Sequence, residues 1–167
     1  MRWKIPTSLF LALALLIPAA PAVARTDSRS DEPTCRTVVY ADVRELVTID
    51  LDTASDTDVR VVANQILAAA VADSLTTLPG RMQARLGGTA EDLRAFLRTR
   101  LQVVWSTDLR IAVNQTVADA GPNVRAAAQE TLDTDSVDGY LAYLNGGLYV
   151  ARALDCTSRP AVSVSAR

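Results

Sequence analysis

Residues 92–118, DLRAFLRTRLQVVWSTDLRIAVNQTVA, align without a gap on residues 42–68, DVRELVTIDLDTASDTDVRVVANQILA. Asp42 falls on Asp92, Arg44 on Arg94, Leu51 on Leu101, Thr57-Asp58 on Thr107-Asp108, Arg60 on Arg110 and Asn64-Gln65 on Asn114-Gln115. Amphipathic helices resemble one another in their apolar positions by chance, but not in so many polar ones in a single register. The apolar positions have helical spacing. Val59, Val62, Ala63, Ile66, Leu67, Ala70 and Val71 form one stripe; Leu93, Phe96, Leu97, Leu101 and Val104 form a second; Leu109, Ala112, Val113, Val117 and Ala120 form a third. Such i, i+3, i+4, i+7 stripes give each helix one face to bury. A partial third copy opens at Asp138, with Ala142-Tyr143-Leu144 on Ala95-Phe96-Leu97. The period is close to the ~35–47 residues of helical solenoid units.

Working outward, the punctuation agrees. Thr89 ahead of Glu91-Asp92 reads as an N-cap with acids in the first turn, where the helix dipole favours negative charge. Ser55 or Asp56 ahead of Asp58, and Ser106 or Thr107 ahead of Asp108, read as further starts. Gly121-Pro122 ends one helix and opens the next, while Pro79-Gly80 and Gly87-Gly88 read as breaks. The expected fold is all-α: a compact array of short amphipathic helices in tandem repeats, solenoid-like or an irregular bundle. Repeat one covers about 42–86, repeat two about 92–132, and a partial third begins near 138, within a domain spanning 35–156.

The flanks read differently. Arg2 and Lys4, the apolar run Leu9 to Ile17, and Ala22-Val23-Ala24 have the layout of a secretory signal, expected to occupy residues 1–24. Residues 25–34 (RTDSRSDEPT) and 157–167 (TSRPAVSVSAR) are polar and aperiodic and read as a flexible lead-in and tail. Export makes a Cys35–Cys156 disulfide the natural use of the two cysteines. Closing a loop of over ~100 residues would contribute about 4–5 kcal/mol in the chain-entropy account.

Glu91-Asp92-Leu93-Arg94-Ala95-Phe96-Leu97, Asp108-Leu109-Arg110 and Gly121-Pro122-Asn123-Val124-Arg125-Ala126-Ala127-Ala128-Gln129 together resemble the ALF repeat, an alanine-rich unit with a characteristic Phe found in secreted bacterial proteins. The resemblance covers about Thr89 to Leu144 and weakens upstream, where Leu46 replaces the Phe. It implies a helical fold and an extracytoplasmic address, and no particular chemistry.

Composition excludes much. The chain has no histidine, and its one lysine, Lys4, lies in the signal. Histidine-activated nucleophiles, Schiff-base lysines, imidazole zinc sites and P-loops are therefore absent. A net charge of −2 argues against nucleic acid. Asp50, Asp52, Asp56 and Asp58 alternate like a calcium loop, but Ala54, Ser55 and Val61 occupy the positions that need a ligand, a glycine and a glutamate. Asp133, Asp135 and Asp138 fail likewise. A carboxylate-dependent glycosidase would draw on Glu32, Glu45, Glu91 or Glu130, yet Glu91 sits at a helix N-terminus, which favours its ionised form. Among the aromatics, Tyr143 matches the core-type Phe96. Trp105 and Tyr140 are candidates for a recognition surface, with the core as their alternative. The recurring Asn-Gln pairs suggest a bond to a neighbouring element. Asn114-Gln115-Thr116 forms a glycosylation sequon inside a helix.

The sequence therefore points to an exported, monomeric, non-catalytic repeat module without cofactor or metal, contacting an unknown protein or envelope component, with no nucleic acid and no membrane partner after signal cleavage. The alternative is a small secreted carboxylate-dependent hydrolase acting on cell-wall polysaccharide.

Overall fold

Ser55 opens the first helix, its hydroxyl accepting the Asp58 amide ahead of Val59, the first buried residue of the stripe. The computed structural model describes residues 38–157, and all its regular elements are helical. They are α1 (Asp56–Ala72), α2 (Leu78–Leu86), α3 (Ala90–Thr99), α4 (Leu101–Gln115), α5 (Pro122–Thr134), α6 (Val137–Ala142), a π-helical turn (Tyr143–Gly147) and α7 (Leu148–Thr157). The signal, the lead-in and Cys35 lie outside the described residues, as does the tail beyond Thr157. No helix among the described residues is long and apolar enough to cross a membrane.

Each helix packs on its neighbours along the stripe that its sequence supplies: α1 on α2 and α3, α4 on α2, α3, α5 and α6, and α5 on α7. Val59, Ala63 and Ile66 of α1, Leu78 and Met82 of α2, Leu93 of α3, and Trp105 and Leu109 of α4 belong to a single core that continues through Tyr140, Leu144 and Leu148. Several positions paired by the sequence alignment share their burial. Val43 and Leu93 are both buried, as are Val59 with Leu109 and Ala63 with Val113. Phe96 and Tyr143 fill matching places. Leu46 is only partly buried, because residues 43–46 form a turn and not a helix, so the front of repeat one is abbreviated. At the other end of its stripe Val71 turns to solvent, because α1 stops one residue later.

Two boundaries differ from the sequence reading. No helix begins at Asp108. The break between α3 and α4 is Arg100, whose φ of −119° leaves the helical range while its N–H still bonds to the Phe96 carbonyl. Pro79-Gly80 is not a break but the first turn of α2, where proline needs no amide partner.

The mislocated Asp108 has a different role. It lies mid-way along α4, 1% exposed. Its carboxylate accepts the amides of Thr77 and Leu78 and the hydroxyl of Thr76, at 2.7–3.1 Å, from thirty to thirty-two residues away. Thr77 makes no cap of its own, so α2 receives its N-terminal acceptor from α4. Helix α5 is treated the same way. Gly121 at its N-cap has no side chain to offer, and Asp155 of α7 accepts the Asn123 and Val124 amides at 2.9 and 3.1 Å and the Asn123 side chain at 2.8 Å. A third carboxylate, Asp73, accepts the Ala41 amide at 2.9 Å. The starts of α2 and α5 are thus capped by a carboxylate from a later helix, where their first amides would otherwise lack acceptors.

Gly121 is required by this arrangement. A Cβ there would lie 2.3–2.7 Å from the Asp155 carboxyl group, so any side chain displaces the cap. Gly121→Ala is expected to lower the thermal midpoint by on the order of a few degrees, measured by circular dichroism; an unchanged midpoint would show that the carboxylate is not seated there. Burial pushes Asp155 upward, but the two amides, the Asn123 side chain and Arg125 together outweigh it and hold the carboxyl below its ordinary range. A depressed folded-state pKa stabilises the fold above the unfolded value of ~3.9, and the contribution is lost as pH falls through the folded value. The stability gap between wild type and Asp155→Asn should therefore narrow between about pH 4 and pH 2 in parallel denaturation series. A gap that widens in acid would reverse the assignment.

Candidate functional site

The exposed side of α4 carries polar residues at helical spacing, because its other side is spent on the core. Gln102, Ser106 and Arg110 form one ridge, with Val103 and Thr107 beside it. Arg98 and Thr99 of α3, the α5–α6 corner (Asp135 to Asp138) and Arg44 of the 43–46 turn complete a groove of about 670 Å³. Another hollow, of about 220 Å³, lies where Tyr149 of α7 binds the Val38 backbone, accepting its N–H at 2.6 Å, and Asn145 brackets Tyr40.

Trp105 and Tyr140 are not a free recognition surface. Trp105 is 0% and Tyr140 2% exposed, which corrects the expectation that they would present themselves to a partner. The cause is the boundary at Arg100. With α4 starting there, Trp105 is no longer at a helix end but one turn inside, pointing to the core. Its indole N–H has no acceptor among the described residues, and the Arg44 guanidinium lies 5.7 Å from its ring centroid. Tyr140 forms part of the groove floor and donates its hydroxyl to Asp135. Burial, with that bond, pushes its phenol up to about 12.

Most charges along the rim are already neutralised. Arg44 pairs with Asp42 and Asp138, each at 2.6 Å, and its hydrogen bond holds Asp42 below the usual carboxylate range against the effect of burial. Arg98 pairs with Asp52 and donates to the Leu51 carbonyl at 2.9 Å. Arg110 is different. Its guanidinium makes no hydrogen bond or ion pair among the described residues. Its counterpart in repeat one, Arg60, donates to the Leu86 and Gly88 carbonyls at 2.7 and 2.9 Å and closes the C-terminus of α2. In repeat two α5 ends differently, with Asp135 in the left-handed conformation (φ 47°, ψ 48°), and Arg110 has no such duty.

The recurring asparagines do not reach a neighbouring element. Asn64 donates to the Arg60 carbonyl and Asn114 to the Arg110 carbonyl, both at 2.8 Å, each a back-bond within its own helix. Asn114 of the sequon is exposed near the end of α4. The described residues hold no group of three or more ligating side chains fit for a metal ion. Cys156 is exposed on α7, but the Cys35–Cys156 pairing cannot be placed, since Cys35 lies outside the described residues.

A family model described as ALF, short repeats of unknown function, matches residues 110–151. Those residues are similar to that family's repeats. The matched segment begins within α4 at Arg110, runs through α5, α6 and the π-helical turn, and ends in α7. It therefore contributes Arg110 and the entire α5–α6 wall of the groove, while Arg98, Gln102 and Ser106 precede it. No curated protein and no solved structure matches the chain.

Proposed function

We propose that the chain is an exported, non-catalytic helical-repeat module that uses the α4 groove to contact a protein or cell-envelope component. The observation that carries this reading is Arg110: a guanidinium without an ion pair among the described residues, on a polar ridge, in a groove whose other two arginines, Arg44 and Arg98, are paired. The competing hydrolase would need an acid facing a second carboxylate. Glu45, Glu91 and Glu130 are all exposed and none lines the groove. Asp135 and Asp138, which do line it, stand on one wall, and each is taken by a partner, Tyr140 or Arg44. This supports binding over turnover.

A photo-crosslinking residue at Gln102 tests the reading. Conjugates to a discrete envelope or secreted component are expected there, and none from the same residue at Glu91, in the first turn of α3. Conjugation at both positions alike, or cleavage of peptidoglycan by the purified protein, would overturn it.

Export itself rests on the Ala22-Val23-Ala24 pattern, and the disulfide on export together with the position of the described chain start. Val38, three residues after Cys35, is bonded to Tyr149 on the helix that carries Cys156. Intact-mass analysis of the exported protein is expected to give a chain beginning at Arg25, two hydrogens lighter than its reduced form, with Cys35 and Cys156 linked in the non-reducing peptide map. A product retaining Met1, or two free thiols, would reject the corresponding half.

A further inference from the structure

We propose that the α4 groove takes an extended acidic peptide, with a carboxylate of the peptide seated on Arg110. The inference rests on the interaction reading above and adds the chemistry of the ligand. Gln102, Ser106 and Arg110 follow one another at four-residue steps, so they span about 12 Å along α4. That is the length of three to four residues of extended chain at ~3.3 Å each. Their chemistry suits a peptide taken in order. The Gln102 amide, without a partner among the described residues, offers both a donor and an acceptor to a peptide unit. Ser106 and Thr107 have already given their hydroxyl protons to the Val103 carbonyl, at 3.1 and 2.8 Å, so their free lone pairs face the groove as acceptors for peptide N–H groups. Arg110 closes the row with a planar fork whose geometry matches a carboxylate.

On the opposite wall Asp138 pairs with Arg44 and Asp135 accepts the Tyr140 hydroxyl, and neither forms an ion pair with Arg110. A saccharide acid would present the same carboxylate but is served less well. The single aromatic lining the groove, Tyr140, is 2% exposed and leaves no ring face for a sugar to stack on. The comparison with Arg60 shows why Arg110 is available. The same repeat position is committed to the Leu86 and Gly88 carbonyls in one unit and released into a groove in the next.

The test is an NMR titration of the full exported chain with acetyl-tetraglutamate amide. Acetyl-tetraglutamine amide serves as the neutral control and trigalacturonate as a carboxylate from a saccharide. The acidic peptide is expected to move the Gln102, Ser106 and Arg110 resonances and to bind at least about tenfold more tightly than the neutral one, as a charge-assisted pair should. Arg110→Gln should abolish that difference with the circular dichroism spectrum unchanged. Arg110→Lys, keeping the charge without the fork, should fall between. Equal binding of the two peptides, wild-type affinity in Arg110→Gln, tighter binding of trigalacturonate, or no binding of any probe would each overturn the proposal. If groove-specific crosslinking at Gln102 survives such a result, the acidic-peptide assignment fails alone and the interaction reading stands.

Discussion

Replacing Asp108 with alanine is expected to destabilise the fold by about 3–5 kcal/mol, among the larger single effects in the molecule. The carboxylate is 1% exposed and is the sole acceptor for the first amides of α2 among the described residues. Removing it takes the acceptor from the buried Leu78 amide and from the part-buried Thr77 amide, and an unsatisfied buried amide costs roughly 1–3 kcal/mol. Asn in its place keeps one acceptor oxygen and loses the charge, so Asp108→Asn should recover part of the loss. The check is urea denaturation of the three proteins at neutral pH. Thr77→Asp, which could offer α2 a cap of its own, is a useful control: combined with Asp108→Ala it should restore some stability if capping is the cause. A change within about 0.5 kcal/mol for Asp108→Ala would place it among ordinary surface substitutions and falsify the account.

Phe96→Ala is expected to cost about 3–5 kcal/mol, as for other buried aromatic truncations. Phe96 is 5% exposed in the core between α3 and its neighbours, and the Arg85 guanidinium rests 6.0 Å from its ring centroid. The comparison that gives the experiment its meaning is Leu46→Ala. Both residues occupy the same repeat position, but Leu46 lies in the 43–46 turn and is only partly buried, so its truncation should cost clearly less, about 1–2 kcal/mol. Thermal or chemical denaturation of both variants decides this. Equal losses would mean that the front of repeat one is packed as fully as repeat two.

The parts of this structure legible in the sequence are those fixed by periodicity and local caps. The stripes from Val59 and Leu93 set which faces are buried. Ser55, Thr89 and Gly121-Pro122 mark helix starts, because a hydroxyl acceptor or a proline acts within three residues of itself. Asp108 was misread for the same reason. An aspartate after Ser106-Thr107 looks like a local first-turn acid, and nothing local shows that its amide partners lie some thirty residues upstream. One clue was present. Gly121 precedes a helix with no side chain to cap it, which leaves room for an acceptor elsewhere. Trp105 was misplaced through the same boundary. The groove was hidden because it is assembled from α3, α4, the α5–α6 corner and the 43–46 turn. Its decisive feature, the idleness of Arg110 against the engagement of Arg60, is a difference between two residues that the repeat alignment makes identical.

The distant caps also decide how the array can come apart. In a solenoid whose units touch only their neighbours through side-chain packing, an end can peel away and leave the rest folded. Here α7 cannot detach without withdrawing Asp155 from the first turn of α5, and α4 cannot shift without exposing the amides that open α2. Fraying of the last helix and opening of α5 are therefore one event with one free energy. The unit that opens is a loop running from Asn123 to Asp155, latched at both ends by a single carboxylate.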